Sequence, residues 1–172
     1  MDTDPVRRTE ASVGTGVFFV LAPGVVAGVV PWWLTGWRMH HLPAVLVPLR
    51  VIGVLLVVAG AVVVVEAFVR FAAEGRGTPA PVAPTEQLVV GGLYRYVRNP
   101  MYLAVLALIV GQAALLAQPV LLWYASFVAA CVVTFVKLYE EPALTRQFGA
   151  QYEEYRAAVP GWWPRLRPWD RV

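Results

Sequence analysis

Three groups of residues in this 172-residue chain have types and spacings suited to chemistry. The first is GGLYRYVRNPMYL, residues 91–103. Asn99 suits a helix N-cap and Pro100 the first helical position. The unpaired amides and positive dipole end of such a helix attract a carboxylate or phosphate. Arg95 and Arg98 add charge-assisted donors beside it. An ordinary helix start with interfacial arginines would read the same way.

The second group is Glu140 and Glu141, followed by Pro142. Neighbouring side chains diverge by about 100° on a helix, so the two carboxylates should have different partners. Pro142 biases Glu141 away from helical geometry, and a break or kink is expected there. One carboxylate could hold a ribose hydroxyl or an ammonium group; a charged helix end is the plainer alternative. The third group is Glu66 and Arg70, one helical turn apart. They form either a local ion pair worth about 0.2–0.5 kcal/mol or a polar wall facing Arg98 and Glu140.

The elements that would position these groups are membrane helices. Hydrophobic residues make up 59% of the chain and charged residues 15%, against roughly 45–50% and about 25% in soluble domains. Four segments are apolar enough to be spans: Val13–Leu34, Ala44–Phe71, Pro100–Ala117 and Val120–Leu138. A span needs about 20 residues to cross roughly 30 Å of hydrocarbon. The last two segments are short and share the Gln118–Pro119 turn, so they read as a helical hairpin. The expected fold is therefore an all-α integral membrane protein with about four transmembrane helices. Residues 1–172 form one domain, and an interfacial amphipathic segment covers 140–172. Within it, Leu144, Phe148, Tyr152, Tyr155 and Val159 recur at helical spacing and give one apolar face. Trp162, Trp163 and Trp169 suit the headgroup level.

The net charge is +3, and thirteen of the fourteen basic residues are arginine. With four spans, Arg7, Arg8, the connector from Arg70 to Arg98 and the C-terminal tail share one side. The positive-inside rule makes that side cytoplasmic, both termini included. No basic helix or aromatic platform for nucleic acid accompanies the charge, so no nucleic-acid partner is expected. A single cysteine, Cys131, excludes an internal disulfide and a cysteine-based zinc site. With only His40 and His41, both placed opposite the candidate site, no metal is expected.

The order and spacing of these groups resemble the isoprenylcysteine carboxyl methyltransferase and phospholipid methyltransferase superfamily of membrane enzymes. That superfamily shows an RHPxY segment, an apolar hairpin, a Glu-Glu pair and an FGxxYxxYxxxVP tail. GGLYRYVRNPMYL and EEPALTRQFGAQYEEYRAAVPGWWP carry the likeness here, over about residues 88–164.

The resemblance implies an S-adenosylmethionine cofactor. Tyr94, Arg98, Asn99, Pro100 and Tyr102 would line its site, and Glu140 and Glu141 would contact its polar groups. Glu66 and Arg70 would be the catalytic pair that positions the methyl acceptor, a lipophilic molecule or a membrane lipid. The superfamily usually has histidine where this chain has Asn99. Asparagine can cap a helix and donate a hydrogen bond, but it does not titrate near neutral pH. Two alternatives remain. One is a nicotinamide-dependent reductase of the sterol reductase type, although Leu103, Ala104 and Val105 replace the acidic NYxGE-type continuation of those enzymes. The other is a non-catalytic membrane relative.

Overall fold

The structure, a computed structural model, describes residues 23–74 and 88–170. The described residues form helices and turns, with no β-strand among them. The beginning of the expected first span, residues 13–22, lies outside the described residues, as do Arg7, Arg8 and positions 75–87 of the long connector.

Helix α1 runs Val25–Thr35. It begins as a π-helical turn, Val25–Val29, and ends at Gly36 in the left-handed region. A π-turn widens the hydrogen-bond ladder, and side chains reach its carbonyls from neighbouring helices. Tyr124 Oη donates to Val26 O at 2.9 Å and Gln112 Nε2 to Ala27 O at 2.7 Å.

Helix α2 is the 27-residue Pro48–Glu74, about 40 Å long. Its apolar residues lie on every side. Val51, Leu55, Val58, Val62, Val65 and Val69 are each more than half exposed. Such a stripe is an aggregation hazard in water and an ordinary surface in hydrocarbon.

Helices α3, Pro100–Leu116, and α4, Val120–Phe135, follow. Ala117 in the left-handed region turns the chain between them, and Gln118 N–H donates to Ala113 O. Helix α3 packs closely along α2. A Cβ on Gly53 would lie 2.7 Å from Gly111 O, and one on Gly60 would lie 2.8 Å from Ala104 O. Only glycine lets the two backbones meet there, the small-residue contact typical of membrane helices. Ile109 and Leu121, both fully buried, centre the core that α3 and α4 form with Ala27 of α1.

Among the described residues, two helices are long and apolar enough to cross a membrane: Ala44–Arg70 and Val120–Phe148. Val25–Thr35 and Pro100–Leu116 are shorter apolar helices.

Two local expectations need correction. Pro142 does not break the chain. Helix α4 passes through a π-turn, Val136–Glu140, directly into α5, Glu141–Phe148, and Glu141 has ordinary helical angles. Proline cannot donate to the carbonyl four residues back. The wider turn absorbs that loss, with Glu141 N–H bonding Val136 O five residues back. The amphipathic tail is also not one helix. Gly149, at φ 52° and ψ −128°, separates α5 from α6, Ala150–Ala158. The apolar residues still converge, because Tyr152, Tyr155 and Val159 are buried together with Leu144 and Phe148 packed against them. Trp169 belongs to this cluster as well, its ring centroid 5.4 Å from that of Tyr155, whereas Trp163 is exposed.

Candidate functional site

The site lies where α3 begins and α4 gives way to α5. A 3₁₀ turn, Gly92–Arg95, leads the chain toward α3. Gly92 has φ +53°, and a methyl group there would overlap the Arg70 guanidinium. The arginine at the end of α2 is thus packed against the turn that precedes the site.

Arg98 organises the next layer. Its Nη1 donates to Glu141 Oε1 at 2.7 Å and to Tyr152 Oη at 3.0 Å. Its Nε donates to Val159 O at 2.9 Å, and its backbone N–H to Pro160 O. Both members of the Arg98–Glu141 pair are nearly buried, at 13% and 14% exposure. Arg156 approaches the other Glu141 oxygen at 3.4 Å. Arg98 Nη2 makes no hydrogen bond among the described residues.

Asn99 is the N-cap residue of α3 and Pro100 occupies its first turn, but the Asn99 side chain does not cap. Its Nδ2 donates instead to Gly161 O at 3.1 Å, and the residue is buried. With Pro100 lacking an N–H, the amides of Met101 and Tyr102 are left without an intrahelical carbonyl.

Glu140 points about 100° away from Glu141, as adjacent helical residues do. Tyr102 Oη donates to Glu140 Oε2 at 2.9 Å, while Glu140 Oε1 has no partner among the described residues. Tyr94, on the 3₁₀ turn before α3, is buried. Burial raises its phenol pKa, and the neighbouring Tyr155, Glu140 and Glu66 raise it further. Tyr155 and Tyr152 are also raised by burial, with Arg98 opposing the shift in both. The three phenols therefore stay neutral at physiological pH. Tyr155 Oη donates to Tyr94 O at 2.7 Å.

Glu66 pairs with Arg70 through Oε1, and its Oε2 is buried without a hydrogen-bond partner. The structure thus brings Arg98, Asn99, Pro100, Tyr102, Glu140 and Glu141 to one junction. Glu66 and Arg70 lie on α2, with Arg70 packed against Gly92 of the turn that leads to this junction.

A strap from α6 onward completes the arrangement; sequence reading placed this segment at the interface or under the bundle but did not foresee its hydrogen bonds. Arg165 N–H donates to Tyr96 O and Trp169 N–H to Arg95 O. Tyr152 and Tyr155 were readable as an apolar face, yet their hydroxyls hold Arg98 and the Tyr94 carbonyl. Two tyrosines three residues apart on the helix after an acidic pair were the available signal.

The phospholipid methyltransferase family model matches residues 49–151, which take in α2 to α5 and both carboxylate groups. The chain belongs to the phospholipid methyltransferase family. This family is part of the integral membrane methyltransferase group, and it suggests methyl transfer to a lipid-type acceptor. Membership together with two span-length helices indicates a membrane protein. It favours methyl transfer over the nicotinamide-dependent reductase alternative. No curated protein and no solved structure matches the chain. As a phospholipid methyltransferase family member it carries its strap, from Tyr152 on, beyond the matched residues.

Proposed function

We propose that the chain transfers a methyl group from S-adenosylmethionine to a lipophilic acceptor at the cytoplasmic face of the cell membrane. The observation that carries this reading is a pair of unused polar atoms. Arg98 Nη2 and Glu140 Oε1 flank the start of α3, one a donor and one an acceptor. A zwitterionic amino acid end fits them, its carboxylate toward Arg98 and the α3 amides and its ammonium toward Glu140.

When bound, S-adenosylmethionine supplies a methyl group on an electrophilic sulfonium. The residues of this chain align and desolvate. Tyr102 holds Glu140, and Tyr152 and Glu141 hold Arg98, so neither binding group must be ordered on binding. Asn99 contributes by tying the strap through Gly161, a task that needs a donor and no titrating proton. Glu66 and Arg70 orient the acceptor, for which Glu66 Oε2 offers a free lone pair. A carboxylate or thiolate acceptor needs no base; an amine acceptor must first lose a proton.

The topology that suits this reading has four spans in a single domain, with α3 and α4 as a hairpin and both termini in the cytoplasm. The positive-inside distribution of arginines supports that orientation.

Calorimetric titration of the purified protein in nanodiscs with S-adenosylmethionine is the direct test. Binding should weaken at least about tenfold in Glu140→Gln and in Arg98→Lys. Unchanged affinity in both variants refutes the assignment.

A further inference from the structure

Alongside the seam between α2 and α3 lies an apolar trough of ≈ 410 Å³, within the ~300–1,000 Å³ usual for small-molecule sites. Its floor is the contact of Gly60 with Ala104, and its walls are Ala59 and Val63 on α2 and Leu103 and Ala107 on α3. Pro164 of the strap and Tyr96 line the end nearest the α3 start. The trough exists because these residues are small: the helices touch at a glycine, and the alanines above the contact leave the crease unfilled.

Its direction is informative. From Pro100 to Ala107 the lining extends about 10 Å along α3, beside the span-length helix α2. It is open on its outer side. At the end nearest the α3 start it reaches Pro100, next to Asn99 and Arg98. Through Leu93 it adjoins Gly92, against which Arg70 packs. A molecule with an alkyl chain in the trough has its head at the level of Glu66, Arg70 and the α3 start.

We infer that this trough holds one alkyl chain of the methyl acceptor, with Ala59 and Ala107 setting the thickness of chain it admits. The inference rests on the methyl-transfer reading for the word acceptor, but not for the chain. The occupant is one aliphatic chain of an amphiphile that slides in sideways from the bilayer. Along the rest of α2 the outward stripe from Val51 to Val69 is ordinary lipid-facing surface.

The test is photolabelling of the full chain in nanodiscs with a lysophospholipid carrying a mid-chain diazirine. Adducts should concentrate on Ala59, Val63, Leu103 and Ala107, and fall at least about fivefold in Ala107→Phe. Ala59→Leu, at the rim of the trough, should reduce them in the same direction and guards against misfolding of the first variant. Affinity for S-adenosylmethionine should be unchanged in both. Adducts spread evenly along Val51, Val58 and Val65, or undiminished in both variants, overturn the inference. Failure of the cofactor to bind a wild-type protein whose trough still labels would sink the methyl-transfer reading and leave the chain site standing.

Discussion

Arg98 and Glu141 form a 2.7 Å ion pair that is almost wholly withdrawn from solvent, although 43 positions separate them in the chain. The pair joins the start of α3 to the start of α5. It also frees Glu140, the neighbour of Glu141, to face Tyr102. One carboxylate of the Glu-Glu pair thus bonds Arg98 and the other Tyr102.

Removing one partner of a buried pair leaves the other charged and unpaired, at a cost of about 3 kcal/mol or more. Glu141→Ala should therefore lower the thermal midpoint in detergent by several degrees. Arg156→Ala removes only the half-exposed second partner, worth under about 1 kcal/mol. Equal midpoints for the two variants would contradict this ranking.

Glu140→Gln keeps a hydrogen-bond acceptor for Tyr102 while deleting the charge. Its stability should stay within about 1 kcal/mol of wild type, even as affinity for the cofactor drops. Tyr102→Phe should lose about 1 kcal/mol of stability and loosen Glu140. Calorimetry and melting curves on the same samples separate the two effects.

Gly92→Ala places a methyl group against the Arg70 guanidinium and asks for a positive φ costing about 1–2 kcal/mol. Arg70 must move, and with it Glu66. Acceptor KM should rise severalfold with cofactor affinity intact. A wild-type KM in this variant would show that the Glu66–Arg70 pair does not touch the acceptor.

The buried phenol of Tyr155 has a pKa raised above its ordinary value near 10. A raised folded-state pKa contributes stability that is complete below the unfolded value and fades as pH rises past it. The melting midpoint should thus be steady up to about pH 10 and decline above it. Tyr155→Phe should shallow that decline while costing about 1 kcal/mol at neutral pH through the lost bond to Tyr94 O.

The helical, membrane-type character was legible because it resides in long runs such as residues 49–65, where composition alone decides. The start of α3 at Asn99 and Pro100 was legible because helix-start chemistry is a local signal, whereas its meeting with the Glu140–Glu141 pair was implied only by the resemblance. What stayed hidden was relational. Nothing local says that a π-turn at Val136–Glu140 will absorb Pro142, since the wider turn is chosen by the fit of the whole helix. Asn99 looks like a capping residue until Gly161, 62 positions later, offers its carbonyl. The hydroxyls of Tyr152 and Tyr155 read as apolar bulk because their partners, Arg98 and Tyr94, lie in another element. The trough is invisible in sequence for the same reason, being a space between two helices and not a property of either.

The strap has a consequence for biogenesis. Tyr152, Val159, Pro160 and Gly161, which hold Arg98 and Asn99 in place, leave the ribosome after every apolar helix has been made. A nascent chain halted at Phe148 would be inserted in its bilayer yet have an unfinished ligand end. Maturation would then wait on residues 150–170 closing behind it, so deleting them should yield protein that reaches the membrane with that end still unfinished.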